Sequence, residues 1–585
     1  MQPIPSTSPN LAYRCADFET FTEGLDHAAR GEAGFNYYTA RGELTATLTY
    51  RELRERAIGV ARGLVRSGLP RGGRMLLVAD TVPEFKILFA GCQYAGLLPV
   101  PVALPTGLGG RDHYIATLKR QIQSCGALAA MAPAELLDYL KEAAAGTSAT
   151  RVGTAADFLS LPGDGVELRP FGPDESCYLQ FSSGSTRFPK GIDVPQRALM
   201  ANARAIAADG LRLGPGDRAV SWLPLYHDMG LVGFMLVPLL TQVTVDYLST
   251  RDFARRPLMW PTLISQNRAT LSYSPTFGYD LCSRRVSEGR LALPDLDLSC
   301  WRAAGIGGDM IQPYVLERFA AAFAPCGFDT KAFLPSYGMA EATLAVSFSP
   351  LGRGVLTDAV DRRRLAEEGR AVPADPASPE ARRFVLCGRP LKGHAAELRG
   401  EDGELLPDRV IGRIFVKGPS LMAGYFGQPD ETRRVLSPDG WLDTGDLGYT
   451  LDGALVITGR AKDLIIIAGR NIWPQDLEWS VEEQLGLKRG DSCAFSIEGP
   501  DGTEQVVMLV AARSADIEER ETLRRDVASL LQRAHGVDAR VVLVTPRAIP
   551  QTSSGKIARA RAKAAYLAGQ YEEGGNRAGG AAPPL

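Results

Sequence analysis

From Leu48 onward, short apolar runs alternate with longer segments of helical period, and this alternation constrains the fold more than any other feature of the chain. A buried strand that leads into a helix pairs in parallel with the next strand through a crossover, so the pattern predicts an α/β protein. Helical spacing runs from Leu48 to Gly68, and Arg74 to Val78 then reads as a buried strand. Phe85 to Ala95 repeats the helix before the apolar run Leu97 to Ala103, and Ile122 to Cys125 precedes Ala127 to Met131 in another crossover. Strands are expected at Tyr178 to Phe181 and Ala219 to Leu223, with a helix at Ala198 to Ala208 between them. The alternation continues at Val243 to Leu248, Trp260 to Gln266 and Thr270 to Ser272. With 585 residues and no internal repeat, three or four domain-sized units are expected.

The texture changes at Gly352 to Glu380, which is rich in Arg, Asp, Glu, Pro and Ala and poor in large apolar groups. It reads as an exposed insertion with one short helix at Ala359 to Glu367. Beyond it, Phe384 to Leu386, Ala395 to Leu398 and Gly412 to Val416 resemble short strands between Gly, Pro and Asp turns. A small distorted β-barrel over 384–458 is expected there. Gly459 to Asp463 separates the strand Leu455 to Ile457 from the apolar run Leu464 to Ala468, a hinge position at 459–463. Residues 464–570 read as a compact α+β domain with helices at Pro474 to Gln484 and Asp516 to Gln532. Its strands are expected at Ser492 to Ile497, Gln505 to Ala511 and Ala539 to Val544. The predicted architecture is a multi-subdomain N-terminal body over 1–458, a mobile C-terminal α+β domain and a flexible Gly/Ala/Pro-rich tail over 571–585.

Charge and cysteine usage narrow the class. The 65 basic and 67 acidic residues give a net charge of -2, which disfavours a strongly basic nucleic-acid binder. Nine cysteines, at 15, 92, 125, 177, 282, 300, 326, 387 and 493, lack the close pairs of a thiolate metal site or redox motif. They read as reduced thiols of a cytoplasmic protein. His27, His113, His227, His394 and His535 form no tight cluster that suggests zinc. Met1 to Asn10 lacks the blocks of a signal peptide, and the apolar stretch around Leu231 to Leu240 is too short to span a bilayer.

The strongest local signal is Tyr178-Leu-Gln-Phe-Ser-Ser-Gly-Ser-Thr-Arg-Phe-Pro-Lys-Gly191. A strand delivers the chain to a Ser/Gly/Thr turn whose amides and hydroxyls can converge on a triphosphate, with Lys190 supplying positive charge. The spacing differs from the G-x-x-x-x-G-K-[ST] loop, and composition alone would favour a flexible surface loop. Four further segments follow in order: Pro335-Ser-Tyr-Gly-Met-Ala-Glu341, Trp441-Leu-Asp-Thr-Gly-Asp446, Gly459-Arg-Ala-Lys-Asp-Leu464 and Thr552-Ser-Ser-Gly-Lys556. Together they resemble the adenylate-forming superfamily over roughly Leu48 to Ala565. Within it, Ser182-Ser-Gly-Ser-Thr-Arg187, Trp222-Leu-Pro-Leu-Tyr-His-Asp-Met-Gly-Leu231, Tyr273-Ser-Pro-Thr-Phe-Gly-Tyr-Asp280 and Gly469-Arg-Asn-Ile-Trp-Pro474 resemble the fatty acyl-AMP ligases. That family also carries an extra segment where Gly352 to Glu380 lies.

The resemblance implies ATP and Mg2+ as cofactors. Ser182, Ser183, Gly184, Ser185, Thr186 and Lys190 match the loop that embraces the β- and γ-phosphates. Glu341 matches the magnesium ligand, and a hard dication suits a single carboxylate completed by phosphates and water. Tyr337, with Gly338 and Met339, resembles the segment whose aromatic ring packs on adenine; core packing is the plainer reading of that ring. Asp446 resembles the carboxylate on the ribose hydroxyls, and Arg460 a contact from the other side of the nucleotide. Gly307, Gly308 and Asp309 sit where the family's backbone frames adenine, with glycine in place of its usual Glu-Pro-like sequence. Lys556 resembles the lysine that bridges the substrate carboxylate and the α-phosphate, where its ammonium stabilises charge instead of acting as a base. Lys462 resembles the pivot of the C-terminal domain, although a charged linker has the same composition. His227 resembles a gate or substrate-positioning member of the catalytic set, and a structural histidine is an almost equal reading.

The resemblance further implies a fatty acid substrate in an apolar tunnel, with Phe234, Met235, Tyr273, Phe277 and Tyr279 as candidate lining. Ordinary core is the commoner role for such residues. The acyl group would pass to the phosphopantetheine thiol of an acyl carrier protein acting in trans, since no carrier sequence follows Lys556. The alternatives are a long-chain or aryl acyl-CoA synthetase and, as a non-enzyme, a carrier-binding scaffold with a degenerate nucleotide site.

Overall fold

The computed structural model describes residues 1–6, 10–105, 110–182, 190–287, 295–467, 469–499, 504–552 and 555–571. These form two compact units, one of residues 1–182, 190–362 and 370–458, the other of 363–369 and the chain from 459. The fold is α/β, as the alternation predicts.

The first unit is built on a nine-stranded sheet. Its strands run in the spatial order Arg389–Pro390, Ala345–Phe348, Phe333–Gly338, Ala303–Ile306, Leu271–Ser274, Arg218–Ser221, Thr244–Leu248, Gly34–Tyr38 and Leu44–Thr49. The six strands from Phe333–Gly338 to Gly34–Tyr38 are parallel to their neighbours, and antiparallel strands finish both edges. A four-stranded parallel sheet holds Leu98–Val102, Arg74–Val78, Ala129–Met131 and Arg151–Gly153 in that order. Such strands are buried on both faces, which is why they read as continuous apolar runs.

Local chemistry sets the element ends. Thr49 and Glu52 make a reciprocal capping box, so the helix begins at Tyr50 and ends at Arg66. The residues before it, expected at helical period from Leu48, belong instead to the edge strand. Pro83 opens the helix Pro83–Ala95, and Gly96 closes it at φ 68°. Residues Ala395–Arg399, Gly412–Lys417, Leu442–Leu451 and Ala454–Arg460, in the region expected to form a small barrel, make a four-stranded sheet in that order.

The insertion departs from its expected form. The helix placed at Ala359 to Glu367 starts only at Arg362, because Thr357–Asp361 is a strand paired with Ala381–Val385. Asp358 and Val360 alternate inward at strand period, and buried Asp358 accepts the Tyr449 hydroxyl at 2.7 Å and the Arg409 guanidinium at 3.1 and 3.2 Å. Part of the segment is therefore anchored in the body through groups distant in sequence.

The second unit has its own apolar core around the sheet Ser492–Glu498, Glu504–Ala511 and Ala539–Val544, packed by Pro474–Gln484 and Ile517–His535. Ile465–Ile467 and Arg470–Ile472 form a hairpin at its start. All nine cysteines are free thiols and seven are buried. No helix among the described residues is long and apolar enough to cross a membrane.

Candidate active site

The parallel strands of the large sheet open their carboxyl ends on one edge, the side where sheets of this kind place ligands. Three of these ends lead into the segments singled out from sequence: Arg218–Ser221 toward His227, Ala303–Ile306 into Gly307 to Asp309, and Phe333–Gly338 into Met339 and Glu341.

Tyr337 and Asp446 meet directly. The buried Tyr337 ring sends its hydroxyl to Asp446 Oδ2 at 2.7 Å across 109 residues of chain. Asp446 is fixed by its own turn: Gly445 at φ 72° donates its amide to Asp443 Oδ1, and the Asp446 amide donates to Thr444 Oγ1. An aromatic face beside a rigid carboxylate can stack on a base and accept from vicinal hydroxyls.

Glu341, Tyr425, Lys190 and Glu431 form a second group. The Tyr425 hydroxyl donates to Glu341 Oε1 at 3.0 Å, and the Lys190 ammonium lies 4.4 Å from the centroid of the Tyr425 ring. Lys190 Nζ also donates to Glu431 Oε2 at 2.7 Å. Burial, and then the Glu341 charge, push the Tyr425 phenol far up, so the ring acts as a donor to the carboxylate. Lys190 holds the half-buried Glu431 carboxyl below its usual range. Lys190 is thus held over an aromatic face at the end of the loop that begins at Ser182. The Ser182 amide donates to the Lys190 carbonyl at 3.0 Å, which closes the neck of that loop. Ser183, Gly184, Ser185 and Thr186 lie outside the described residues.

The backbone under Glu341 is tightly held. Thr343 adopts φ 67° and ψ -58°, and the Leu344 amide donates to the Ala342 carbonyl at 2.8 Å, a γ-turn that a β-branched residue tolerates only under constraint. The constraint is visible: Thr343 is fully buried and its hydroxyl donates to the Ser420 carbonyl at 2.7 Å. The Met422 amide caps the Glu341 carbonyl at 2.9 Å. Gly338 is required on the other flank, where a Cβ would stand 1.9 Å from the Leu344 carbonyl oxygen.

Gly308, at φ 75°, turns the chain after Ala303–Ile306, and Asp309 folds back to accept the Met310 amide at 2.8 Å. His227 precedes the short helix Asp228–Leu231, with Nδ1 2.6 Å from Asp228 Oδ1. The same Asp228 oxygen accepts the Met229 amide at 2.6 Å, so the histidine is built into the turn that starts this helix. Among the candidate tunnel residues, Tyr279 is packed by Trp260, Trp301, Phe319 and Phe333 and donates to the Gly305 carbonyl at 3.0 Å. Tyr273 lies between Phe234 and Phe348, and Met235 is fully buried.

Arg460 and Lys556 belong to the second unit. Arg460 is exposed at the end of Ala454–Arg460, and Lys462 stands in the single turn Ala461–Asp463. Lys556 is partly buried in a hairpin closed by the bridge of Gln551 with Ile557. The Thr552 amide donates to the Lys556 carbonyl at 2.7 Å, and the Lys556 amide donates back to Thr552 Oγ1 at 3.2 Å. Tyr425 and Glu431 were not signalled by sequence, because their partners lie 84 and 241 residues away.

Residues 26–426 match the family model described as AMP-binding enzyme. The chain is 53% identical to a putative acyl-CoA synthetase of Caulobacter vibrioides, covering 97% of this chain and 99% of the relative. It is 31% identical to a long-chain-fatty-acid–AMP ligase of Mycolicibacterium smegmatis, over 96% and 93% of the two chains. A solved structure from work on the fatty acyl-adenylate ligases of E. coli and L. pneumophila superposes with a TM-score of 0.91 at 46% identity, covering 96% of this chain and all of the other.

Proposed function

Because the chain belongs to the AMP-binding enzyme family, we propose that it is a fatty acyl-AMP ligase that activates a fatty acid with ATP and then loads a separate acyl carrier protein. The observation that carries the reading is the pairing of Tyr337 with Asp446 in the same unit as the Glu341, Tyr425 and Lys190 group. One pair suits a nucleoside, and the other group suits the phosphates attached to it.

In the first half-reaction a fatty acid carboxylate oxygen bonds to the α-phosphorus while the bond to pyrophosphate breaks. Lys190 and the amides of its loop hold the leaving phosphates, Tyr337 and Asp446 hold adenosine, and Lys556 neutralises charge between carboxylate and α-phosphate. Magnesium would be held by Glu341, whose single carboxylate, fixed by Tyr425, fits an ion that takes its remaining oxygens from phosphates and water, and it would offset phosphate charge. In the second half-reaction the phosphopantetheine sulfur, having lost its proton to solvent, attacks the acyl carbonyl. The carbonyl–phosphate bond breaks, AMP leaves and a thioester remains. The two steps need different nucleophiles at one carbonyl, and a hinge at 459–463 would let the Lys556 unit withdraw between them.

The 53% identical relative is named for acyl-CoA synthesis, and this favours a second reading in which free CoA is the acceptor. Mass spectrometry of reactions containing ATP, magnesium and a fatty acid series, with either free CoA or a phosphopantetheinylated carrier, decides between them. Acyl-AMP that is consumed only by the carrier supports the ligase reading; efficient acyl-CoA formation replaces it with the synthetase reading. Absence of any acyl-AMP refutes both.

A further inference from the structure

One charged cluster of the second unit is used by no step above: buried Glu478 with the half-buried Asp463 and Arg559. The Arg559 guanidinium grips Glu478 with two edges, Nε to Oε1 at 3.0 Å and a terminal nitrogen to Oε2, while its remaining nitrogen contacts Asp463 Oδ2 at 3.3 Å. Glu478 is 2% exposed and also accepts the Ala494 amide at 2.9 Å, which ties it to the strand Ser492–Glu498 at the edge of this unit's sheet. Burial pushes the Glu478 carboxyl up, and Arg559 and the Ala494 amide draw it back. Charges this deeply enclosed are costly to leave unmatched, so the arginine is committed to its carboxylates.

The places these groups occupy along the chain give the cluster its meaning. Arg559 lies three residues beyond Lys556 and opens the helix Arg559–Leu567. Asp463 directly follows Lys462 and ends the single turn Ala461–Asp463. Two irregular segments, the reactive-lysine hairpin and the expected hinge turn, therefore share one guanidinium. The two contacts are unequal: the grip on Glu478 is bidentate, whereas Asp463 is held by a single longer contact that can be surrendered without unpairing the arginine.

We propose that Arg559 is a positioning residue that couples the turn 461–463 to the Lys556 hairpin, with Glu478 as its permanent partner and Asp463 as the exchangeable one. This rests on the roles proposed above for Lys556 and for the hinge. A change at the turn is passed to the lysine through one rigid planar group, and losing the Asp463 contact loosens both segments together.

The test uses the full-length protein and the variant Asp463→Asn, which keeps shape and removes charge, with Arg559→Lys as a second variant that keeps charge and loses the fork. Hydrogen exchange is followed at the amides of Leu464, which closes the turn on the Ala461 carbonyl, and of Lys556 and Ala558, in the hairpin. Asp463→Asn is expected to speed exchange about tenfold in both segments, with Ser492–Glu498 unchanged, and to alter the ratio of acyl-AMP formation to thiol transfer by a similar factor. Exchange that rises only near position 463, or no change in Asp463→Asn, overturns the coupling. A wild-type protein that makes no acyl-AMP refutes the proposed function instead, and the exchange result still decides the coupling.

Discussion

Glu482 offers a quantitative check on how the second unit handles buried charge. It lies four residues after Glu478 on the helix Pro474–Gln484, 6% exposed, and its Oε1 accepts the Gly490 amide at 2.7 Å and the Ser492 hydroxyl at 3.0 Å. Burial, and then the Glu478 charge, raise its carboxyl from the ordinary 4.5 to about 7. The folded protein then holds a proton that the unfolded chain releases, so this group's contribution to stability is fully present below about pH 4.5 and is lost as pH rises through about 7. At about 1.4 kcal/mol per decade, the loss amounts to about 3 kcal/mol above neutrality. Glu482→Gln keeps an oxygen for Gly490 and Ser492 and removes the titration. The variant should match wild type near pH 4.5 and exceed it by up to about 3 kcal/mol at pH 8. Cys493, fully buried and the sole cysteine after position 458, reports unfolding of this unit alone. Thiol labelling of Cys493 across a guanidinium series, comparing the two proteins at each pH, measures the difference. A difference that stays flat with pH, or wild type proving the more stable at pH 8, refutes the reasoning.

Three further outcomes follow from the site. Lys556→Ala should slow acyl-AMP formation by about 10² to 10³ with an unchanged melting temperature; a normal pyrophosphate release rate defeats its proposed role. Tyr337→Phe should raise KM for ATP by only a few-fold, since it removes one hydrogen bond of about 1 kcal/mol, whereas Asp446→Ala should raise it by about tenfold or more through loss of a carboxylate acceptor; equal effects in steady-state kinetics would argue against a ribose contact. Gly338→Ala should cost more than about 3 kcal/mol in thermal unfolding, because the new methyl meets the Leu344 carbonyl at 1.9 Å, and a normal melting temperature would show that the turn can move.

What was readable in the sequence was what the chain expresses locally. The parallel strands announce themselves as unbroken apolar runs because both faces are covered, whereas the Thr49 and Glu52 capping box, a local signal the helical period from Leu48 passes over, sets the helix start at Tyr50. The acidic and glycine-rich segments at 335–341 and 441–446 carry their chemistry within seven residues, so they could be placed before any contact was known. Ala359 to Asp361, the end of the strand Thr357–Asp361, reads as helix from sequence because the strand is fixed by Tyr449 and Arg409, which hold the inward Asp358 from 91 and 51 residues away. Tyr425 and Glu431 escaped for the same reason: an isolated tyrosine after Gly424 and a glutamate in the short charged helix Pro429–Val435 become notable only when Glu341 and Lys190 are brought beside them.

The same distinction explains the division of labour between residues. The groups legible as motifs are those expected to touch nucleotide or acyl group, and each sits at a strand end or turn where the backbone alone sets direction: Gly338 and the γ-turn at Thr343 on either side of Glu341, and Gly445 before Asp446. Direction is not sufficient for a flexible side chain, and each of the charged groups that most needs fixing has a partner recruited from afar. Tyr425 orients Glu341, Glu431 restrains Lys190, and Arg559 is clasped between Glu478 and Asp463. Backbone placement is thus encoded in short segments, while side-chain restraint is encoded in pairs that only the folded chain assembles. Substitutions in the first set should act on whether the site exists, and those in the second on how its charges are timed and aimed.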